Sequence, residues 1–411
     1  MGLGMPDNLY VFLYVYKIKS AVNCCFTADL IALVAERQGF EPWVPKRHNG
    51  FRDRPDRPLR HLSSVVFDSM QNYYFFHNPP NYLRIFTCNK RYNNRQQILD
   101  TEETTVKSRI ACRHSKFSYM ANDRIIPPSE LIINEDGSAF HIHLKPEQLR
   151  DNIIFVGDPG RVDMVASYFD SIDYDVHSRE FHAIGGTYKG KPLMCISHGI
   201  GPDNIEIVLT ELDALANIDF ATRKVKDEHR TLNIVRVGTS GSLQDDLHIG
   251  DFVIAEKGMG FDGILNFYAD RNRVCDLDFE HQFCRHTAWL PIWAAPYTVD
   301  ADTELVNRIG RNDMVRGYTI AAVGFYAPQG REVRLKLADP HLNEKIESFR
   351  YKGRPITNFE MESACLQGLS KLLGHRAMTV CCIIAERRQN NANTDYKPKV
   401  RKLIETVLER L

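Results

Sequence analysis

An α/β fold, with a largely buried sheet flanked by helices, is what residues 120–411 predict. Three observations carry that expectation. Apolar runs of strand length recur along the segment. They are continuous rather than alternating, and patterns of helical period lie between them. Continuity matters because a strand with one wet face alternates polar and apolar residues, whereas a strand covered on both faces does not.

The elements follow in order. "NIIFVG" (152–157) is the first strand run and ends in a Gly-Asp-Pro-Gly turn that delivers Arg161. "PLMCIS" (192–197) is the second. After it, Ile205, Val208, Leu209, Leu212 and Leu215 keep a 3–4 spacing over 204–216, with Asp203 or Asn204 as cap. "LNIVRVG" (232–238) runs into the small-residue loop Gly238-Thr239-Ser240-Gly241 and carries Arg236 inside the strand. "DFVIAE" (251–256) follows, then "TIAAVG" (319–324), which ends in an aromatic pair ahead of Gln329, Gly330 and Arg331. Met361, Ala364, Cys365, Leu369, Leu372 and Leu373 predict a helix over 360–373 that Gly374 stops. "MTVCCIIA" (378–385) is the last strand, and Val400, Leu403, Ile404, Val407, Leu408 and Leu411 line a final helix. One domain over 120–411 accounts for all of this.

The first 119 residues read differently. The whole chain balances 52 basic against 52 acidic residues, yet residues 1–119 hold 17 basic against 10 acidic and the remainder 35 against 42. The stretch "RHNGFRDRPDRPLRH" places prolines and arginines where no helix or central strand continues. A basic arm gripping nucleic acid is one reading. The other, which we favour, rests on "GFEPW" (39–43), one frame of a transfer-RNA T-arm. Residues 1–119 are then expected to be disordered or the product of an over-extended gene boundary, with translation starting at Met120. We expect no nucleic-acid partner. The ten cysteines form no CxxC pair, which points to a reducing cytoplasm, and no apolar run approaches the ~20 residues that span a bilayer.

Chemistry in such a fold belongs at strand ends, where loops present backbone N–H groups and side chains. Arg236 within an apolar strand must be paired or bind an anion, because a buried guanidinium is costly alone. With Arg161, the Arg179 of "HSREFHA", the Gly157 N–H and the Thr239 hydroxyl, it could hold an oxyanion such as phosphate. No Walker A loop or dinucleotide fingerprint is present. "NFEMESA" (358–364) is expected to open a helix, with Glu360 and Glu362 on different faces and Met361 between them. His141 and His143 would share a face if the chain there is extended. Asp278, Glu280, His281, Cys284 and His286 resemble a metal cluster, but a solvated helix face is the simpler expectation.

GDPGR, HSREF, HGIG, RVGTSG, FYAPQGR and NFEMESA, in this order, resemble the nucleoside phosphorylase-I family over roughly residues 125–411. The Gln-x-Arg after the Phe-Tyr pair is similar to its uridine phosphorylase branch. The resemblance implies a three-layer α/β fold with a central mixed, partly barrel-like sheet. It implies a phosphate site of Gly157, Arg161, Arg236 and Thr239, with Arg179 donated by a neighbouring subunit. It further implies a ribose site of Met361 and Glu362 with His141 from the partner. A base site of Phe325, Gln329 and Arg331 follows, with Arg387 on a mobile loop.

Arg331, Gln329 and Glu362 are then the catalytic groups. Glu180 matches a carboxylate that holds an intersubunit potassium ion in some members, although its partner serine reads Asn204 here. No organic cofactor is implied; inorganic phosphate is the co-substrate. A homodimer is the smallest active unit implied, and the family's hexamer is a trimer of such dimers. The implied reaction is phosphorolysis of uridine, and of deoxyuridine in the same way, in pyrimidine salvage. Purine nucleoside phosphorolysis is the alternative, with Glu386 near a purine-protonating aspartate. Hydrolysis by water and non-catalytic nucleoside binding complete the readings.

Overall fold

The computed structural model describes residues 124–389, 391–392 and 395–411. The expectation about residues 1–119 lies outside these. In chain order the elements begin with β1 (Asn152–Val156), α1 (Pro159–Ala166), β2 (Ser171–Ser178), β3 (Phe181–Tyr188), β4 (Lys191–Ser197) and α2 (Pro202–Asn217). A small hairpin of β5 (Ile218–Asp219) and β6 (Lys224–Val225) precedes β7 (Asn233–Ser242) and β8 (Phe252–Gly260). Next come α3 (Leu277–Thr287), β9 (Tyr297–Asp300), α4 (Thr303–Gly310), β10 (Val315–Ala321) and α5 (Leu342–Ser348). The chain ends with β11 (Arg350–Tyr351), β12 (Arg354–Glu360), α6 (Ser363–Leu373), β13 (Arg376–Glu386), β14 (Asn391–Ala392) and α7 (Lys397–Arg410).

The sheet runs β11-β12-β10-β8-β13-β7-β1-β4-β3-β2, and a further pairing of β12 with β7 closes β12, β10, β8, β13 and β7 into a ring. It is mixed: β1 is parallel to β4 and β7, while β12 meets β7 and β8 meets β13 antiparallel. This is the partly barrel-like mixed sheet that was expected.

β1 shows why its run is continuous. Ile153 and Phe155 enter one core with Ile205, Leu209 and Leu212 of α2 and Leu366 of α6. Ile154 and Val156 enter another, with Val162 of α1, Leu305 of α4 and Leu403 of α7. Period-two alternation thus feeds two helical layers from one strand. A third cluster joins Phe279 and Phe283 of α3 and Ile346 of α5 to Tyr318, Ile320 and Ile356 at the closed part of the sheet. Among the described residues, no helix is long and apolar enough to cross a membrane.

Three local expectations need correction. The "NFEMESA" segment does not open a helix at 358, because Asn358, Phe359 and Glu360 pair with Thr319, Ile320 and Ala321 of β10 and the helix starts at Ser363. Residues 141–143 form a turn with His143 at a φ of 54°, so the two histidines do not alternate along extended chain. The segment 276–286, which forms most of α3, is not a solvated face throughout: Phe279, Glu280 and Phe283 are buried, and Glu280 accepts from Arg271 at 2.9 Å and from the Thr298 N–H at 2.9 Å.

Candidate active site

The ends of β1, β4 and β12 meet around Arg236 on β7. The guanidinium is buried and ion-paired with Glu360 at 2.9 Å and with Glu362, while its Nε donates to His198 Nε2 at 3.1 Å. Burial pushes the Arg236 pKa down, but attraction by Glu362 and Glu360 overrides that and the net direction is up. The side chain needs room beside its own strand. A Cβ on Gly238 would lie 2.7 Å from Arg236 Nη1 and 2.9 Å from Cys381 Sγ, so only glycine fits two residues on.

Glu360 ends β12 and also begins α6. Its carboxylate accepts from the N–H of Glu362 at 2.9 Å and of Ser363 at 3.0 Å, filling orphan donors at the helix start. The Gly201 N–H donates to Glu362 Oε1 at 2.9 Å, tying the "HGIG" turn to the same group. The two carboxylates therefore converge on one guanidinium rather than diverging. The chain bends between strand and helix at Met361, so helical spacing does not apply. Burial raises the Glu362 pKa, Arg236 opposes this, and Glu360 adds to it.

Arg161 stands nearby, buried in the first turn of α1, with Asp158 capping the helix through the Gly160 N–H at 3.0 Å. Its Nη1 donates to the Val237 carbonyl at 3.2 Å. Burial lowers its pKa, and the like charge of Arg236 lowers it further. Arg161, at a helix N-terminus and with no carboxylate hydrogen-bonded to it among the described residues, stands within electrostatic reach of the ion-paired Arg236, an arrangement suited to an anion. A Cβ on Gly157 would approach the Gly199 carbonyl at 3.1 Å, and Thr239 pairs with Cys382 on β13. His198 is held neutral, its pKa lowered well below 6.5 by burial and by Arg236 and Arg161.

A second group forms in the loop after β10. Arg331 Nη1 donates to Gln329 Oε1 at 2.6 Å, and its guanidinium lies 3.9 Å over the Phe325 ring. Asn343 Nδ2 donates to the Gln329 carbonyl at 3.1 Å, and Arg387 Nη2 donates to the same oxygen. Arg387 links the two groups. Its N–H donates to Ser242 at the end of β7 at 3.1 Å, and its guanidinium lies 5.4 Å from the Phe359 ring, next to Glu360. Burial and then the charge of Arg331 lower the Arg387 pKa to about 10. Its Nη1 is buried with no hydrogen-bond partner among the described residues, a donor left for an incoming acceptor. A hollow of about 380 Å³ opens beside this loop, lined by Phe261, Trp289, Trp293, Val323, Pro328 and Leu342.

His141 and Arg179 form a third group. The Arg179 guanidinium lies 5.8 Å from the Phe140 ring, which packs edge-on against His141 at 4.7 Å. Glu211 on α2 clamps the turn, accepting from the N–H groups of His141 and Ile142 and from His141 Nδ1 at 2.6 Å. With Nδ1 donating to a carboxylate, Nε2 is the nitrogen left for a ligand. No hydrogen bond or ion pair joins His141 or Arg179 to Arg236 among the described residues. Glu180 and Asn204 both crowd Gly199, whose Cβ would lie 3.2 Å from Glu180 Cγ and 2.5 Å from Asn204 Nδ2. That pair supplies two oxygen-bearing side chains at one point.

The structure thus assembles Arg161, Arg236 and Glu362 in one place, and Phe325, Gln329, Arg331 and Arg387 in another linked to it. Sequence reasoning assigned no role to His198, Glu360 or Glu211. The signals were faint: a histidine directly after a buried strand, and a glutamate three residues after Val208 on the apolar face of a helix.

Comparison with known proteins finds the same fold. The family described as Phosphorylase superfamily matches residues 151–411. A uridine phosphorylase of Thermococcus kodakarensis is 29% identical over 262 residues, covering 62% of this chain and 80% of that protein. That of Escherichia coli is 27% identical, covering 62% and 90%. A DeoD-type purine nucleoside phosphorylase of Aliivibrio fischeri is 26% identical, covering 59% and 84%. Among solved structures, a Trypanosoma brucei nucleoside phosphorylase described as showing uridine phosphorylase activity is 30% identical. Its TM-score is 0.62, with 68% of this chain and 99% of that one covered.

Proposed function

The chain belongs to the phosphorylase superfamily, and from that membership we propose that it is a uridine phosphorylase, a pentosyltransferase splitting uridine with inorganic phosphate into uracil and ribose 1-phosphate. The observation that carries this reading is the buried Arg161–Arg236 pair, two repelling guanidinium groups that a dianion would reconcile. Hydrolysis by water would gain nothing from such a pair. A merely nucleoside-binding protein would have no use for it.

The mechanism follows from charge. As the C1′–N1 bond stretches, the sugar becomes cationic and the uracil anionic. Phosphate held by Arg161, Arg236, Thr239 and the Gly157 N–H lies against the cationic carbon and closes the new C1′–O bond. The electron pair of the broken bond leaves on uracil, where Arg331 and Gln329 meet the growing charge by hydrogen bonds that strengthen in the transition state. Uracil then takes a proton from solvent. Phosphate would draw Arg236 away from Glu362, releasing that carboxylate to bind the ribose hydroxyls beside Met361 and to fix the reacting geometry. On this reading Phe325 lines the base, His141 Nε2 and Arg179 come from a second subunit, and Glu180 is the candidate ligand of a monovalent cation, with Asn204 in place of the expected serine. Six described cysteines, none paired, fit a cytoplasmic setting.

Purine nucleosides are the competing substrates, since relatives of that kind also match. Glu386, the candidate for protonating a purine ring, accepts from Asn391 Nδ2 at 3.1 Å and the Ile249 N–H at 3.2 Å, and these bonds hold its carboxyl below its usual pKa. A carboxylate so engaged is a poor acid, which favours the pyrimidine. The test is uracil release from uridine, with and without phosphate, beside inosine. Phosphate-dependent uracil release is expected; inosine cleavage without uridine cleavage, or equal turnover without phosphate, would sink the reading.

A further inference from the structure

The β2–β3 hairpin carries a cluster that the reaction does not use. Asp175 and His177 are two apart on β2 and so share a face, and His182 on β3 stands directly opposite His177 in the pairing register. His182 Nε2 lies 2.9 Å and His177 Nε2 3.3 Å from the same Asp175 oxygen, and all three ligand atoms lie within 4.8 Å of one another. The two imidazoles stack at 3.5 Å. His182 is buried, while Asp175 and His177 are exposed, so the cluster is reached from solvent on one side.

The proton count singles this cluster out. His182 Nδ1 faces the Pro159 carbonyl at 3.3 Å and its Nε2 faces the Asp175 carboxylate. Both partners accept only, and a neutral imidazole has one N–H for them. If Nδ1–H donates to Pro159, the Nε2 lone pair confronts a carboxylate, a conflict that either a second ring proton or a metal cation between them resolves. A carbonyl on Nδ1 is also the usual way a metal-bound histidine is oriented.

The other histidine–aspartate group differs. His375 Nδ1 accepts from the Leu232 N–H at 3.2 Å, so its Nε2–H is free to donate to Asp213 at 3.1 Å. That group is complete without an ion.

We propose that Asp175, His177 and His182 bind a zinc-class divalent cation. Two imidazoles and one carboxylate form a ligand set that zinc accepts, leaving a fourth position for water or an anion. Ligands around tetrahedral zinc lie roughly 3.3 Å apart at bond lengths of about 2.0–2.1 Å, close to the spacings present here. Closing on the ion requires His177 to turn out of the stack, which its exposure permits. The ion would brace the hairpin that carries Arg179 and Glu180 and fix the ring of His182, whose Nδ1 meets the Pro159 carbonyl in the turn that leads into Arg161.

The full chain, stripped with a chelator, is titrated with zinc sulfate against a chromophoric zinc indicator, and separately with cobalt(II). Saturable binding of one zinc per chain is expected, with visible cobalt bands of a low-coordinate site. Exposed His177→Ala should weaken zinc binding at least ~10-fold without unfolding the chain, and His182→Ala should do more. Magnesium and calcium, which prefer oxygen ligands, should not compete. Absence of saturable binding overturns the proposal, as does affinity unchanged by His177→Ala or lost instead on His229→Ala. Equal competition by magnesium overturns the zinc-class assignment.

Discussion

On the proposed mechanism Arg331 and Arg161 serve different halves of the reaction, and their substitutions should separate. Arg331→Ala removes a hydrogen bond that strengthens only as uracil leaves, so kcat for uridine should fall roughly 10²–10³-fold with the phosphate KM unchanged. Arg161→Ala should chiefly raise the phosphate KM; steady-state kinetics varying each substrate reads both, and equal effects on the two substrates would remove the division of labour. His198 makes a stability prediction. Its folded pKa lies well below 6.5, so it stays neutral in the fold while the unfolded chain takes up a proton below about 6.5. The unfolded state binds more protons there, and its contribution to stability is present at pH 7 and lost as pH falls through ~6.5. Urea midpoints from pH 8 to 5 should drop more steeply for the wild type than for His198→Gln, whose amide oxygen still accepts from Arg236. Arg236 was legible in the sequence because a cation inside an apolar strand demands a partner. Which carboxylates answer it was not, since Glu360 and Glu362 are 124 and 126 residues away.

At the level of elements, the strands that the sequence revealed are those with two dry faces. β2 escaped notice because it is an edge strand with little buried surface. β12 was hidden for the opposite reason: its Thr357 and Asn358 are polar yet buried, Thr357 Oγ1 donating to the Tyr318 carbonyl at 2.9 Å and Asn358 Oδ1 accepting from Thr319 Oγ1 at 2.9 Å, so hydropathy saw no strand. The junction from β12 into α6 is expected to be a weak point under mutation. Glu360→Gln weakens the ion pair of a buried arginine and a helix-start acceptor together. A loss of about 3 kcal/mol in unfolding free energy by denaturant titration is expected, with no change in m-value. The loop that holds Gln329 depends on Gly330, whose φ is 68° and whose added Cβ would meet Asn343 Nδ2 at 2.3 Å. Gly330→Ala should therefore cost about 1–2 kcal/mol and raise the uridine KM, because the displaced Asn343 no longer restrains Gln329.

The described residues carry one group around Arg236 and another of His141 and Arg179, and the proposed dimer that shares them is open to a complementation test. Arg179→Ala and Glu362→Ala should each be inactive alone. Mixed and allowed to exchange subunits, they should recover about a quarter of wild-type activity, since half the dimers are mixed and each then has one intact site. No recovery, with exchange verified by size and tag, would place both residues in one subunit. A chain starting at Met120 should retain full turnover, because every residue assigned to the site lies between His141 and Arg387.

By itself the sequence determined that residues 120–411 form an α/β fold, and which arginines and carboxylates are of interest, because burial on both faces and charge inside a strand are written in local pattern. Only the tertiary structure decided that β12 closes the sheet on β7, that two glutamates converge on Arg236, and that Arg387 joins the two parts of the site. Those outcomes depend on pairing between segments a hundred residues apart, where register, not composition, sets which side chains meet.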